Sequence, residues 1–128
     1  FVFDSCGRGD TPILSQINFS SKVAPDFVKK YNQFEARVKD MILTSCHKGL
    51  CLPTNYSDNA SFLACGIPAV TITLLPESEA LGWMQGITPK TWQLFHTPGD
   101  SKETLTPSAA TVMDQLLKAI AGMKTLGM

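Results

Sequence analysis

The sequence predicts an α/β fold: a mixed, mostly parallel sheet flanked by helices in three αβα layers. Three observations predict it. Residues 69–75, Ala-Val-Thr-Ile-Thr-Leu-Leu, are rich in β-branched side chains and apolar at odd and even positions alike, as in a strand covered by helices on both sides. Two longer segments repeat apolar residues at three- and four-residue steps, the period of one helix face. Short apolar runs alternate with these segments along the chain, which is the element order of a layered α/β domain.

Taken in order, Phe1 to Ser5 is apolar and aromatic and ends near Gly7, so it reads as a buried strand. Residues 6–12 form a loop. Ile13 to Phe19 alternates weakly and reads as an edge strand. Pro25 suits the first turn of a long helix, where a backbone N–H has no partner in any case. Phe27, Val28, Tyr31, Phe34, Val38, Met41 and Ile42 supply its apolar face, while Lys29, Lys30, Glu35, Arg37 and Lys39 fall largely elsewhere. Gly49 marks its end, and His47 there complements the helix dipole. Leu50 to Pro53 reads as a short strand. Asp58 caps a short helix from Asn59 to Cys65, which Gly66 stops. Residues 76–90 show no clear period and read as a loop; its length, with Trp83 and Met84, suggests the rim of a cleft. Thr91 to Phe95 reads as another short strand. Thr106 caps and Pro107 opens the last helix, with Ala109, Met113, Leu116, Leu117, Ile120 and Met123 as its buried stripe.

The 128 residues are enough to bury one core. They carry no repeat, low-complexity tract or linker. Lys and Arg total 11 and Asp and Glu total 11, and this zero net charge argues against a nucleic-acid partner, which needs a basic patch. No stretch approaches the roughly 20 apolar residues of a membrane span. Cys46 and Cys51 are spaced to close a small disulfide loop; four free, mostly buried thiols, with Cys6 and Cys65, are the plainer alternative. A four-thiolate zinc site matches no familiar spacing. Asn18, Asn55 and Asn59 each begin an Asn-x-Ser sequon, which leans toward an exported protein, extracellular or periplasmic.

Two patterned segments bracket the candidate chemistry. Asp4 follows the first strand in Phe-Val-Phe-Asp-Ser-Cys-Gly, and His96 follows an apolar run in Trp-Gln-Leu-Phe-His-Thr-Pro-Gly-Asp-Ser. Both are expected at strand ends, where ligands collect in α/β sheets. A carboxylate and an imidazole suit zinc, which accepts oxygen and nitrogen donors, but two donors are too few for a catalytic site. Arg8-Gly9-Asp10 also matches an integrin-recognition tripeptide, in a loop where glycine has a turn role of its own.

Between them stand Ser57-Asp58-Asn59-Ala-Ser-Phe62 and Gly66-Ile67-Pro68-Ala69. In this order and at these separations, the segments resemble the C-terminal half of an M28-family zinc aminopeptidase catalytic domain. There an apolar strand ends in an Asp that binds zinc, Ser-Asp-His and Gly-Ile-Pro-Ala follow, and Tyr-His-Thr-x-x-Asp-Thr supplies a zinc-binding His. The resemblance covers nearly the whole chain. It implies that Asp4 and His96 bind different zinc ions of a pair, and that metal-activated water attacks the N-terminal peptide bond of a peptide substrate. Asp58 and Asp100 would support the ligands, and Phe95 and Trp83 would border the substrate. The family's first zinc-binding His, its bridging carboxylate and its paired glutamates precede the Asp4 strand. None has a counterpart here, and the general base belongs to that missing set. Residues 1–128 are therefore expected to be the C-terminal portion of one catalytic domain. The chain alone is expected to be inactive, partnered by the rest of its domain, and prone to self-association through an exposed strand edge.

Two departures stand out: Asn59 replaces the His after Asp58, and Phe95 replaces a Tyr whose hydroxyl can stabilise the oxyanion. Glutaminyl cyclases are similar over the same motifs but hold one zinc and place a Trp directly before the last His, where Phe95 stands here. A non-catalytic receptor or binding relative of the same fold is a third reading.

Overall fold

The computed structural model describes residues 1–54 and 57–123. Its elements are β1 (Val2–Phe3), β2 (Thr11–Ser15), α1 (Pro25–Cys46), β3 (Leu50–Leu52), α2 (Asn59–Ala64), β4 (Thr71–Leu75), α3 (Glu77–Met84), α4 (Lys90–Gln93), a 3-10 turn (Lys102–Thr104) and α5 (Pro107–Gly122). The strands form one sheet in the order β1-β4-β2-β3. β1 runs parallel to β4 and β3 parallel to β2, while β2 and β4 are antiparallel, with Ile13 opposite Thr73. The fold is α/β with a mixed sheet, as the sequence predicts.

Strand alternation explains the layers. Leu14 of β2 and Ile72 and Leu74 of β4 face one side, where they pack with Tyr31, Val38 and Ile42 of α1 and Ala109, Val112 and Leu116 of α5. Ile13 and Leu75 face the other side and pack with Ala80 of α3, against Leu50, Leu52 and Trp92. Every residue of β2 and β4 is buried, which is why residues 69–75 show no polar face. No helix among the described residues is long and apolar enough to cross a membrane.

Several expectations need correction. Residues 76–90 are not a loop: α3 occupies Glu77–Met84, directly after Pro76. Only Ala80 of α3 is buried, so the helix has almost no apolar stripe to reveal it. Thr91 to Phe95 is not a strand. Lys90–Gln93 is a helical turn directly after Pro89, and short apolar runs do not separate the two states by pattern. The Ile13–Phe19 segment is shifted to Thr11–Ser15 and is interior, between β4 and β3. β1 stands at one end of the four strands.

Helix ends differ in detail. α1 stops at His47, whose φ of 61° and N–H bond to the Leu43 carbonyl form a left-handed cap two residues before Gly49. Asp58 precedes α2 in helical geometry without a capping side-chain bond. Thr106 precedes α5 in extended geometry, but its hydroxyl accepts from the Gly9 N–H at 2.9 Å. In α5, Val112 joins the buried stripe while Leu117 is exposed. All four cysteines are free thiols.

Candidate functional site

The loop after β1 is held by backbone geometry that the sequence only partly reveals. Ser5 adopts a φ of 55°, and its carbonyl accepts from the Thr73 hydroxyl at 3.2 Å. Gly9 is buried at a φ of 96°, and a Cβ there would sit 2.1 Å from the Leu75 carbonyl carbon. Only glycine fits such a position. Cys6 lies beneath, its thiol 3.4 Å from the Ile72 carbonyl. Burial is the main reason that its pKa is pushed up to about 11, so it stays a protonated packing residue.

Asp4 ends β1 in an exposed position. Its Oδ2 accepts from the Ser57 hydroxyl at 3.1 Å and its Oδ1 from the Ser5 hydroxyl at 3.3 Å. Both oxygens keep capacity for a further partner. His96 follows the turn after α4 with a φ of 60°. Among the described residues its imidazole makes no hydrogen bond, which leaves both ring nitrogens open to a ligand. Of the three non-glycine residues with positive φ among the described residues, Ser5, His47 and His96, two line one cleft. Strained backbone of this kind marks a site worth a functional hypothesis.

That cleft has a volume of about 670 Å³ and is lined by both candidate ligands, Asp4 and His96, with Asp100, Arg8, Trp92 and Phe95 among its other walls. Asp4 and His96 are far apart in sequence, and the sheet and α4 bring them to the same opening. Asp100 stands there too; it is its N–H, donating to the Thr97 carbonyl at 3.0 Å, that closes the turn after His96. Phe95 and Trp92 also border a smaller recess beside Asp4, lined further by Ser5, Ser57, Thr71 and Thr73. Asp58 is exposed and lines neither space. Trp83 does not line the cleft. Its indole N–H donates to the Pro53 carbonyl at 2.8 Å, and its ring meets Trp92 edge-on at 5.2 Å. It therefore buttresses the Trp92 wall from behind.

A polar network that sequence reasoning missed fixes α4. Glu79 Oε1 accepts from the Thr91 N–H at 2.7 Å and from the Thr91 hydroxyl at 2.9 Å, and its Oε2 pairs with Arg8 Nη2 at 3.2 Å. Arg8 Nε donates to the Thr91 hydroxyl at 3.0 Å. Burial works against ionising Glu79, but the Thr91 and Arg8 hydrogen bonds outweigh it and hold its carboxyl below the usual range. Arg8 and Glu79 are 71 residues apart, and no spacing rule pairs them. A signal for α4 existed in Pro89, which immediately precedes it, whereas Pro25 and Pro107 stand within the first turn of their helices.

Two motif readings change on this geometry. Arg8 is tied to Glu79, Gly9 is buried, and Asp10 Oδ2 pairs with Lys48 at 2.6 Å. The Arg-Gly-Asp tripeptide is thus tied into the fold by two ion pairs and a buried glycine. Asn59 is 4% exposed, so its sequon cannot carry a glycan in the folded chain. Asn18 is exposed, and Asn55 lies outside the described residues.

One carboxylate and one imidazole open to a shared cleft fit the donor preferences of zinc. Among the described residues, no three His, Cys, Asp or Glu side chains come together as a metal-holding group; further ligands would have to join from elsewhere. Compared with models of protein families, with curated proteins and with solved structures, the chain matches none.

Proposed function

We propose that this chain is the C-terminal portion of an M28-like zinc aminopeptidase domain, which hydrolyses the N-terminal peptide bond of peptides. The observation that carries the reading is the meeting of Asp4 and His96 on one cleft, at the C-terminal end of a sheet strand. The proposed roles follow from the surroundings. Asp4 is oriented as a ligand by the Ser57 and Ser5 hydroxyls. His96 presents an unpartnered imidazole on a turn set by α4. Trp92, Phe95 and Leu105 supply apolar wall for a substrate side chain. Zinc bound there would supply a water of lowered pKa and a polarised carbonyl. The first zinc-binding His, the bridging carboxylate and the glutamate general base of the proposed family would come from the rest of the domain.

In the complete protein, H96A is expected to abolish aminopeptidase activity while leaving far-UV circular dichroism unchanged. Full activity in that variant would sink the assignment. A glutaminyl cyclase-like reading is kept second because Trp92 lines the cleft beside Phe95. Cyclisation of N-terminal Gln with one bound zinc, rather than amino-acid release with two, would favour it.

A further inference from the structure

We infer that Arg8 is a carboxylate-reading residue of the cleft, which therefore takes ligands bearing a free carboxylate. Arg8 lines the cleft, and among the described residues no lysine does. Its Nε is anchored on Thr91 at 3.0 Å and its Nη2 on Glu79 at 3.2 Å. Two anchors fix the plane of a group that otherwise swings on a long flexible stem. Glu79 is itself fixed, because Thr91 donates to it twice. The guanidinium has more N–H donors than these anchors use. Among the described residues no acceptor holds Nη1, and the side chain is 28% exposed. A pre-oriented guanidinium with free N–H groups on a cleft wall suits two-point carboxylate binding.

The charges nearby sharpen the inference. Asp4 and Asp100 line the same cleft and repel an anion, and Glu79 offsets part of the Arg8 charge. Diffuse attraction therefore does not draw a carboxylate in; a planar, paired contact does, beside the apolar walls of Trp92, Phe95 and Leu105. In a peptide, the carboxylate is either the C-terminus of a short chain or an acidic side chain. The substrate preference rests on the peptidase reading; the binding preference does not.

Trp92 lines the cleft, so tryptophan fluorescence of the 128-residue chain reports occupancy. The probes are N-acetylalanine (α-carboxylate), N-acetylglutamate α-amide (side-chain carboxylate) and N-acetylalaninamide (neutral). At least one carboxylate probe is expected to bind about tenfold tighter than the neutral one, and R8Q to erase that margin. The tighter of the two carboxylates names the source. R8K keeps the charge and loses the fork; it is expected to lose most of the margin, and it serves as the test if R8Q does not fold. Equal binding of all three probes, no binding of any, or an unchanged margin in the folded Arg8 variants would overturn the inference. A complete enzyme that hydrolyses peptides while these titrations fail loses the Arg8 assignment alone. Titrations that succeed while the complete protein hydrolyses no peptide remove the peptidase reading alone.

Discussion

The two faces of the sheet are held differently. Under α1 and α5, Tyr31, Val38, Ile42, Val112 and Leu116 pack on Leu14, Ile72 and Leu74 in a continuous apolar layer. Under α3 and α4, Ile13, Leu75 and Ala80 form a much smaller buried cluster. There the Arg8–Glu79–Thr91 network and the Trp83–Trp92 contact do much of the joining. The first face derives its stability from area removed from water. The second gives up apolar area for directional bonds, which fix where side chains point. Asp4 and His96 open onto that second side, so the weaker core accompanies the more precise positioning.

The sharpest way to break this contrast is on the packed face. Leu116 is fully buried, and Leu116→Ala is expected to cost about 2–5 kcal/mol of unfolding free energy, read by urea denaturation, without altering ligand binding in the cleft. A cost below about 1 kcal/mol would mean that the α1/α5 layer is not the main core. On the other face, Glu79→Ala removes a carboxylate that three hydrogen bonds use and leaves Arg8 without its partner. Its expected cost is smaller, about 1–3 kcal/mol, but it should also release α4 and weaken binding in the cleft. An unchanged cleft would show that Glu79 does not position α4.

The pH dependence has a definite sign. The carboxyls of Glu79 and Asp10 lie below their ordinary values of 4.5 and 3.8, Asp10 chiefly through its hydrogen bond with Lys48. Groups depressed on folding stabilise the fold above their unfolded pKa. That contribution is full near neutrality and is lost as pH falls through the folded values. Stability curves from pH 7 downward should therefore drop on acidification, and E79Q should flatten part of that drop. An identical acid limb in E79Q would contradict the Glu79 assignment.

The smallest effect concerns thiol chemistry. Cys6 is buried with its pKa raised, whereas Cys65 is exposed. Iodoacetamide at pH 8 should label Cys65 readily and leave Cys6 until the chain unfolds. Labelling of both at similar rates in the native chain would mean that the loop after β1 is not closed.

The parts of the fold legible in the sequence are those whose burial leaves a period. Residues 71–75 and the faces of α1 and α5 fall there. α3 was hidden because one buried residue, Ala80, makes no stripe, and α4 because four residues make no period. Pro76 and Pro89 were the signals to read, since each immediately precedes a helix. Of the site, Asp4, His96, Asp100 and Phe95 were legible as motif residues and do line the cleft. Trp83, expected at the rim, is not among the lining residues and meets Trp92 edge-on instead. Arg8, Glu79 and Thr91 were not legible as a unit, because their pairing arises only when β1, α3 and α4 are brought together in space.

On the proposed reading, Asp4 and His96 hold metal together with ligands from the rest of the domain. The most direct test is the zinc content of the complete protein, measured by elemental mass spectrometry after purification, for wild type, D4N and H96A. Two zinc ions are expected in the wild type and a lower content in each folded variant. Wild-type protein without zinc after metal loading, or zinc content unchanged in both variants, would contradict it.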